Sequence, residues 1–362
     1  MSKPFDSDYR ATAGSAEGRC PDRRFSLRRP NGHKPPIARY SAALPQALQV
    51  AVLFLGLQSK NENAIKTALA RFLKSSAVAE AAPIYTDHAV FSDQQGHLNH
   101  IVALYWLDSR LYYDWLGAPA VADWRAQATT DPAVGLWWEP IVVDAERAET
   151  ITFKEFRRGF SGCPASALQP TEGSGYWGAA RDRIPASAYD LFEPTIAGIE
   201  VDQQTSNEAH RVVQPPTNMA VIRSGVSWEK CEGEQLRDYQ ERIKPKLDDG
   251  MNYLRDNPRE TGCFALRQVV AVGDLGEPLP EAYSLGAFVS LGHLESWAEH
   301  HPSHLAIYTR AMAARRKYQD ALQLRTYNEI FIVGQRNPKF EYFNCHPQTG
   351  LLPFAASIGA GQ

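Results

Sequence analysis

The chain has 362 residues, 44% of them hydrophobic and 22% charged, with a formal net charge of −3. That balance is ordinary for a globular protein and gives no general pull toward nucleic acid or anionic membrane, and no basic stripe interleaved with aromatics runs through it. No apolar run reaches the roughly 18–20 residues a membrane helix needs, and the polar opening MSKPFDSDYRATAGSAEGRC lacks the apolar stretch of a secretory signal.

Taken in chain order, residues 1–25 read as a disordered tail, polar and rich in small residues. A Pro-rich lead, RRPNGHKPPIARYSAALP, runs into LQVAVLFLGLQ (48–58), an apolar run of buried-strand type. NENAIKTALARFLKSS (61–76) sets Ile65, Leu69, Phe72 and Leu73 at helical spacing. HIVALYWLD (100–108) is a second strand. SRLYYDWLGAP (109–119) is a short helix ended by Gly117 and Pro119, and ETITFKEFRRGF (149–160) reads as a further strand.

The second half repeats the scheme. NMAVIRSG (218–225) is a strand, and 229–257 is mostly helical with Pro245 as a break or kink. GCFALRQVVAV (262–272) and AYSLGAFVSLG (282–292) are strands joined by the turn GDLGEPLP. A helix bearing Leu294 and Trp297 follows, then a longer one from Pro302, then the strand YNEIFIVGQ (327–335). Each half therefore reads β-α-β-β-α-β, with LYWLDSRLYYDWLGAP echoed by FVSLGHLESWAEHHP. The expected fold is α+β: two fused ferredoxin-like units, 26–215 and 216–362, around one antiparallel sheet.

AEHHPSHLAIY (298–308) concentrates three of the ten histidines. Pro302 suits the first turn of a helix, where its missing N–H costs nothing. That puts His301 near the N-cap and His304 in the first turn, on a face with Tyr308, Ala311, Met312 and Arg315 that is apolar before turning basic. Burial and the positive helix end both favour neutral imidazole there, the form that ligates metal. The alternative is a helix-start histidine bonded to backbone. A zinc pair with His300 is disfavoured because Pro302 intervenes, and no H-E-x-x-H is present.

Other polar groups leave two readings open. Arg181 and Arg183, in GYWGAARDRIP, either clamp an anionic or hydroxyl group or lie on a surface loop. Ser224 either turns its hydroxyl into a pocket or is structural. FEYFNCHPQTG (340–350) reads as a turn, because adjacent Cys345 and His346 do not make a catalytic dyad without a third group. The five cysteines, Cys20, Cys163, Cys231, Cys263 and Cys345, are scattered without a C-x-x-C pair, as suits reduced thiols in a cytoplasmic protein. There is no P-loop, no G-x-G-x-x-G and no G-x-S-x-G.

GYWGAARDR, NMAVIRSG, DGMNYLRDN followed by GCFALR, WAEHHPSHL and FEYFNCHPQTG together resemble the haem-containing aldoxime dehydratases, in family order from about residue 20 to about residue 355. The resemblance implies the double ferredoxin-like fold, haem b that is active when ferrous, a homodimer, and conversion of an aldoxime, R–CH=N–OH, to a nitrile. It places the proximal haem ligand at His304, the second histidine of H-P-[ST]-H. A neutral imidazole is what iron requires. It places the distal serine at Ser224, as a hydrogen-bond donor to the oxime oxygen, and the supporting arginine at Arg181. The distal glutamate falls on Glu146, with Glu149 as the competitor.

One position departs from the family pattern. Where the family has a distal histidine in a Y-H-E segment, this chain has Asn328 between Tyr327 and Glu329. An asparagine donates a hydrogen bond but does not transfer a proton near neutral pH, and positioned proton transfer is worth about 10²–10⁴ in rate. Three expectations follow: a substrate-trapping variant, a substitute acid such as Glu146 or a water held by Arg181, or chemistry on a related N–O or N–N substrate. A haem-binding sensor without catalysis is the competing class.

Overall fold

The computed structural model describes residues 23–45, 48–201, 208–273 and 276–360. The expected tail falls almost wholly on residues 1–22, outside the described residues, as do positions 274–275 of the GDLGEPLP turn.

After β1 (Arg39–Ala42), the first unit runs β2 (Gln49–Ser59), α1 (Glu62–Ala77), β3 (Tyr85–Ser92), β4 (Leu98–Trp106), α2 (Ser109–Gly117), α3 (Pro119–Thr130) and β5 (Gly135–Asp144). Asn61 starts α1 by accepting from the N–H groups of Asn63 and Ala64, and the helix buries Ile65 and Phe72. The helical stretch does not stop at Pro119, as the sequence suggested. Pro119 opens α3 instead, because a fixed φ and absent N–H suit the first helical position.

A connecting segment carries β6 (Ala148–Ile151), β7 (Leu168–Thr171), α4 (Ala179–Arg183) and β8 (His210–Val213). The strand expected over 149–160 ends early. Gly159 at φ +55° turns the chain so that the N–H of Phe160 donates to Glu329 Oε1 at 2.7 Å. A Cβ at Gly159 would lie 2.0 Å from Glu329 Oε2, so no other residue fits there without movement.

The second unit runs β9 (Ala220–Ser227), α5 (Gly233–Asp238), a π turn (Tyr239–Ile243), α6 (Lys244–Asp256), α7 (Pro258–Thr261), β10 (Cys263–Val272), β11 (Pro278–Phe288), α8 (Leu291–His300), α9 (Pro302–Tyr318) and β12 (Arg325–Ile332). Pro245 does not break the helix. The π turn immediately before it takes up the disturbed hydrogen bonding. β13 (Phe340–Phe343) follows.

The main sheet has the order β6-β12-β9-β11-β10-β3-β4-β2-β5-β13-β8, and its pairs are antiparallel. Within each unit the order is fourth, first, third, second strand, the ferredoxin-like arrangement expected from the sequence. The units join through their second strands, β3 and β10. Their outer edges are covered by exchange: β6 precedes the second unit yet pairs with its β12, and β13 follows it yet pairs with β5 of the first.

The sheet curls so that both units turn one face to a shared interior, where Phe54, Tyr105 and Trp137 of the first unit meet Val221, Tyr283 and Phe331 of the second. The outer faces are covered by helices, but unequally. In the first unit Leu53, Leu55, Phe72, Trp106, Trp115, Trp124 and Trp138 form one continuous apolar layer. In the second, two clusters form. One contains Ile222, Ile330 and Ile307; the other contains Val226, Ala314 and Tyr318.

Candidate functional site

The turn from α8 into α9 is pinned by its own side chains. His301 caps α9 by accepting the Ser303 N–H at Nδ1 over 3.2 Å, and Pro302 takes the first helical position. Ser303 Oγ accepts from Trp297 Nε1 at 3.1 Å. These bonds present His304 in the first turn, where Nδ1 donates to the Ala298 carbonyl at 2.5 Å. With the proton held at Nδ1, the lone pair is at Nε2. Burial lowers the His304 pKa, opposed by the Ala298 bond, so the ring is neutral at neutral pH. Trp297 and Trp177 flank it with ring centroids 4.7 and 5.8 Å away. His300 ends α8 and is exposed, its Nδ1 3.3 Å from the Ser296 carbonyl, so the two histidines belong to different helices.

Below this helix layer, Ser224 and Asn328 face each other as direct partners of the β9·β12 pair, and Ser224 Oγ donates to Asn328 Oδ1 at 2.8 Å. Side chains alternate across a strand. Ser224 and Asn328 therefore share the outer face with Ile222 and Ile330, while Arg223, Tyr327 and Glu329 point into the shared interior. β9 has neighbours on both sides, yet Ser224 is exposed. It lies between Ile222 of one apolar cluster and Val226 of the other, where the packing is interrupted. α9 packs on α6 and α8, and Ala314 is its one buried residue. A serine exposed at mid-sheet beneath a helix means an opening between the layers. Its floor carries Ser224 and Asn328, and α9, with His304 in its first turn, contributes Ile307, Ala314 and Tyr318 to the apolar clusters on either side.

The remaining predicted residues divide. Arg181 donates to Glu295 from Nε and Nη2, at 2.7–3.1 Å, and from Nη1 to the Leu191 carbonyl at 2.8 Å. Its hydrogen bonding is thereby spent on tying α4 to α8, and it makes no bond to Ser224 or Asn328. Glu146, half-buried in the turn after β5, is not placed beside them by any hydrogen bond or strand pairing. Glu149 is fully buried and accepts from Arg183 Nε at 2.7 Å and Nη2 at 3.0 Å. It pairs across β6·β12 with Ile330, so it shares the Asn328 face, two positions from the residue opposite Asn328. Burial raises the Glu149 pKa, and Arg183 opposes that rise. Of the two glutamates, Glu149 is the one on the site's face, and Arg183 is the arginine beside it.

The sequence reading missed two further walls. Trp177 lies against His304 and, with centroids 5.0 Å apart, against Tyr308. The segment from Arg28 to Arg39 straps the side: Arg28 and Arg29 N–H groups donate to Asp182, Arg315 on α9 donates to the Pro36 carbonyl, and Arg39 Nη1 reaches Thr326 Oγ1 at 3.3 Å. Trp177 was signalled by the aromatic, Gly-flanked motif. The strap had no sequence signal beyond its prolines.

A separate cleft of about 810 Å³ opens beside β3 and β10 and is lined by Asp93, Arg255, Arg267 and His346, among others, but by none of His304, Ser224 or Asn328. Asp93, His97 and His346 cluster within 4.8 Å. His346 Nδ1 accepts the Gln348 N–H at 3.1 Å, which leaves the proton on Nε2 to donate to Asp93 at 2.9 Å. Those two bonds fix the His346 ring in the NCHPQTG turn, while His97 Nδ1 is buried without a hydrogen bond among the described residues.

A family described as haem-containing dehydratase matches residues 54–351. The chain is 34% identical over 342 residues to an aliphatic aldoxime dehydratase of Pseudomonas chlororaphis, covering 92% of this chain and 95% of that protein. It is 28% identical over 332 residues to a phenylacetaldoxime dehydratase of a Bacillus species, covering 90% and 93%. A solved aldoxime dehydratase in complex with butyraldoxime is 30% identical with a TM-score of 0.85, over 94% of this chain and 96% of that one. A second crystal structure of an aldoxime dehydratase gives 31% and 0.82, over 92% and 96%.

Proposed function

The chain belongs to the haem-containing dehydratase family, and on that premise we propose that it removes water from aldoximes, R–CH=N–OH, to give nitriles, with haem b as its cofactor. The observation that carries this reading is a neutral histidine, its proton fixed on Nδ1, in the first turn of a helix that packs on the sheet face where the Ser224 hydroxyl is exposed. The residues present fit a haem. They offer one unprotonated imidazole nitrogen, aromatic walls at Trp177 and Trp297, and an interruption in the apolar packing between sheet and helix layer.

His304 would hold the iron through Nε2. Haem bound there and reduced would supply a ferrous iron with an open position for the aldoxime nitrogen. Ser224 would give its proton's hydrogen bond to the oxime oxygen, exchanging Asn328 Oδ1 for the substrate. Asn328 would hold Ser224 in rotamer and offer its amide N–H to the same oxygen. Neither group gives up a proton at neutral pH, so the proton that leaves with the hydroxyl comes from elsewhere. Glu149, with its raised pKa and its place on the same face, supports proton delivery through water, with Arg183 holding its carboxylate, better than Glu146 does. Arg181 would act at one remove, by fixing α8 and hence the turn that presents His304.

We further infer a cytoplasmic homodimer with the two units divided near residue 215. The buried, unpaired thiols of Cys163, Cys231, Cys263 and Cys345 support the compartment, and the family resemblance supports the dimer. Among the described residues no helix is long and apolar enough to cross a membrane.

The test is an absorption spectrum of the ferric and dithionite-reduced protein before and after anaerobic addition of an aldoxime. A Soret band that shifts on addition to the ferrous form and then reverts as nitrile accumulates is expected. A protein with no Soret band after reconstitution would refute the reading.

A further inference from the structure

Two guanidinium groups beside this opening have no carboxylate partner among the described residues. Arg39 donates to the Thr152 and Thr326 carbonyls and to Thr326 Oγ1, at 2.9–3.3 Å, and lies over the Phe153 ring. Arg315 donates to the Pro36 carbonyl. Neither forms an ion pair among the described residues. The charged groups around them are Arg183, Arg325, Glu149, Glu155 and Asp320. Arg183 already engages both oxygens of Glu149, and Arg325 pairs with Glu155 at 2.7 Å. Asp320, exposed after α9, acts on Arg315 only through its field. Burial together with repulsion from Arg183 and Arg315 lowers the Arg39 pKa to about 9, despite Glu149. A half-buried cation with no carboxylate partner and two like-charged neighbours is stabilised by an anion.

The positions say which anion. Arg315 is eleven residues after His304 on α9, which is three full turns and the same helix face, about 16 Å along the axis. Its side chain leans back toward the helix N-terminus, over the roof that His304 begins. Thr326, held by Arg39, is two residues before Asn328 on the same face of β12, so Arg39 flanks the floor as Arg315 flanks the roof. A flat ligand fixed at His304 would present its far edge between them.

We propose that Arg39 and Arg315 form the carboxylate-binding end of the haem site and hold the two propionates of the macrocycle. The inference rests on the haem reading above. It also gives the Pro-rich strap a role, because residues 36–39 carry Arg39 and receive Arg315, closing the open side of the cleft.

The experiment compares haem with haem dimethyl ester, in which both carboxylates are masked, on the full chain. Dissociation into excess apomyoglobin is followed at the Soret band. The unaltered protein is expected to release the ester about ten- to a hundredfold faster than haem, as loss of charge-assisted hydrogen bonds predicts. Arg39→Met and Arg315→Met are expected to speed the release of haem and leave release of the ester unchanged. Equal retention of haem and ester by the unaltered protein would overturn the proposal without any variant. So would variants that speed both ligands alike, which would mark a general loosening, or neither. Failure of the unaltered chain to bind haem would instead remove the haem reading itself.

Discussion

Asn328 and Ser224 are bonded to each other across the β9·β12 pair, with Oγ donating to Oδ1 at 2.8 Å. The carbonyl end of the amide is thereby committed to Ser224, and the NH₂ end is the donor left for the opening. Restoring an imidazole here tests whether proton transfer limits turnover. Asn328→His is expected to raise nitrile formation by ferrous protein about 10²-fold. An unchanged rate would mean that the proton is already delivered by another route.

Ser224→Ala removes the hydroxyl without disturbing the sheet, since Ser224 is exposed and its backbone is paired on both sides. Loss of one well-placed donor to the departing oxygen should lower kcat about 10²–10³-fold while the haem spectrum stays as it was. Full turnover in this variant would take Ser224 out of the reaction.

His304→Ala should yield folded protein that retains no haem by pyridine haemochrome assay, because α9 begins on His301 and Pro302 and does not need the His304 ring to form. Exogenous imidazole should restore part of the Soret band. Haem bound at full occupancy with an unaltered spectrum would exclude His304 as ligand.

Two arginines two residues apart should behave differently. Arg181 pairs with Glu295, which Arg28 also reaches at 3.3 Å, so Arg181→Met should cost about 1–3 kcal/mol of stability, while turnover per bound haem at low temperature changes little. Arg183→Met strands Glu149, and turnover per bound haem should fall. If the two variants show the same ratio of stability to activity loss, the roles assigned from their partners are wrong.

Glu329 is fully buried, and desolvation outweighs Arg223, the Phe160 N–H and Tyr105 to push its pKa from 4.5 up to about 7. Below pH 4.5 the carboxyl is protonated in both folded and unfolded chains and carries no penalty. Between about 4.5 and about 7 the unfolded chain ionises first, so stability falls as pH rises, by roughly 3 kcal/mol in all, and is flat thereafter. Glu329→Gln should therefore gain stability relative to the parent between pH 5 and pH 8 in urea unfolding. A difference that does not vary with pH would show that Glu329 ionises normally.

The sequence carried the architecture further than the site. The duplicated β-α-β-β-α-β pattern is local, set by apolar period and by starts such as Asn61 and Pro302, and it was legible. The exchange of β6 and β13 between units was not, because a four-residue strand has no period of its own and its partner is chosen by the fold. The α9 face from His304 to Arg315 was legible from helical spacing. The choice between Glu146 and Glu149, and between Arg181 and Arg183, was not. Each pair sits within three residues in sequence, and what separates them is which way one strand or one turn of helix faces. The strap at 28–39 takes its place through long-range bonds to Asp182, Thr326 and Arg315 that no local motif announces.

The first unit's outer face is filled by four tryptophans, where the second unit has two separate apolar clusters. The same scaffold thus exists twice in one chain, once with its outer face filled by its own side chains and once with that packing divided in two. Local stability follows buried apolar contact, so a chain stripped of its prosthetic group should come apart from one end. Amides of α9 and the outer half of the second unit would exchange with solvent while those of β2, β4 and β5 stay protected. Newly made protein would then pass through a half-set state in which one copy is already rigid and holds the other open for loading.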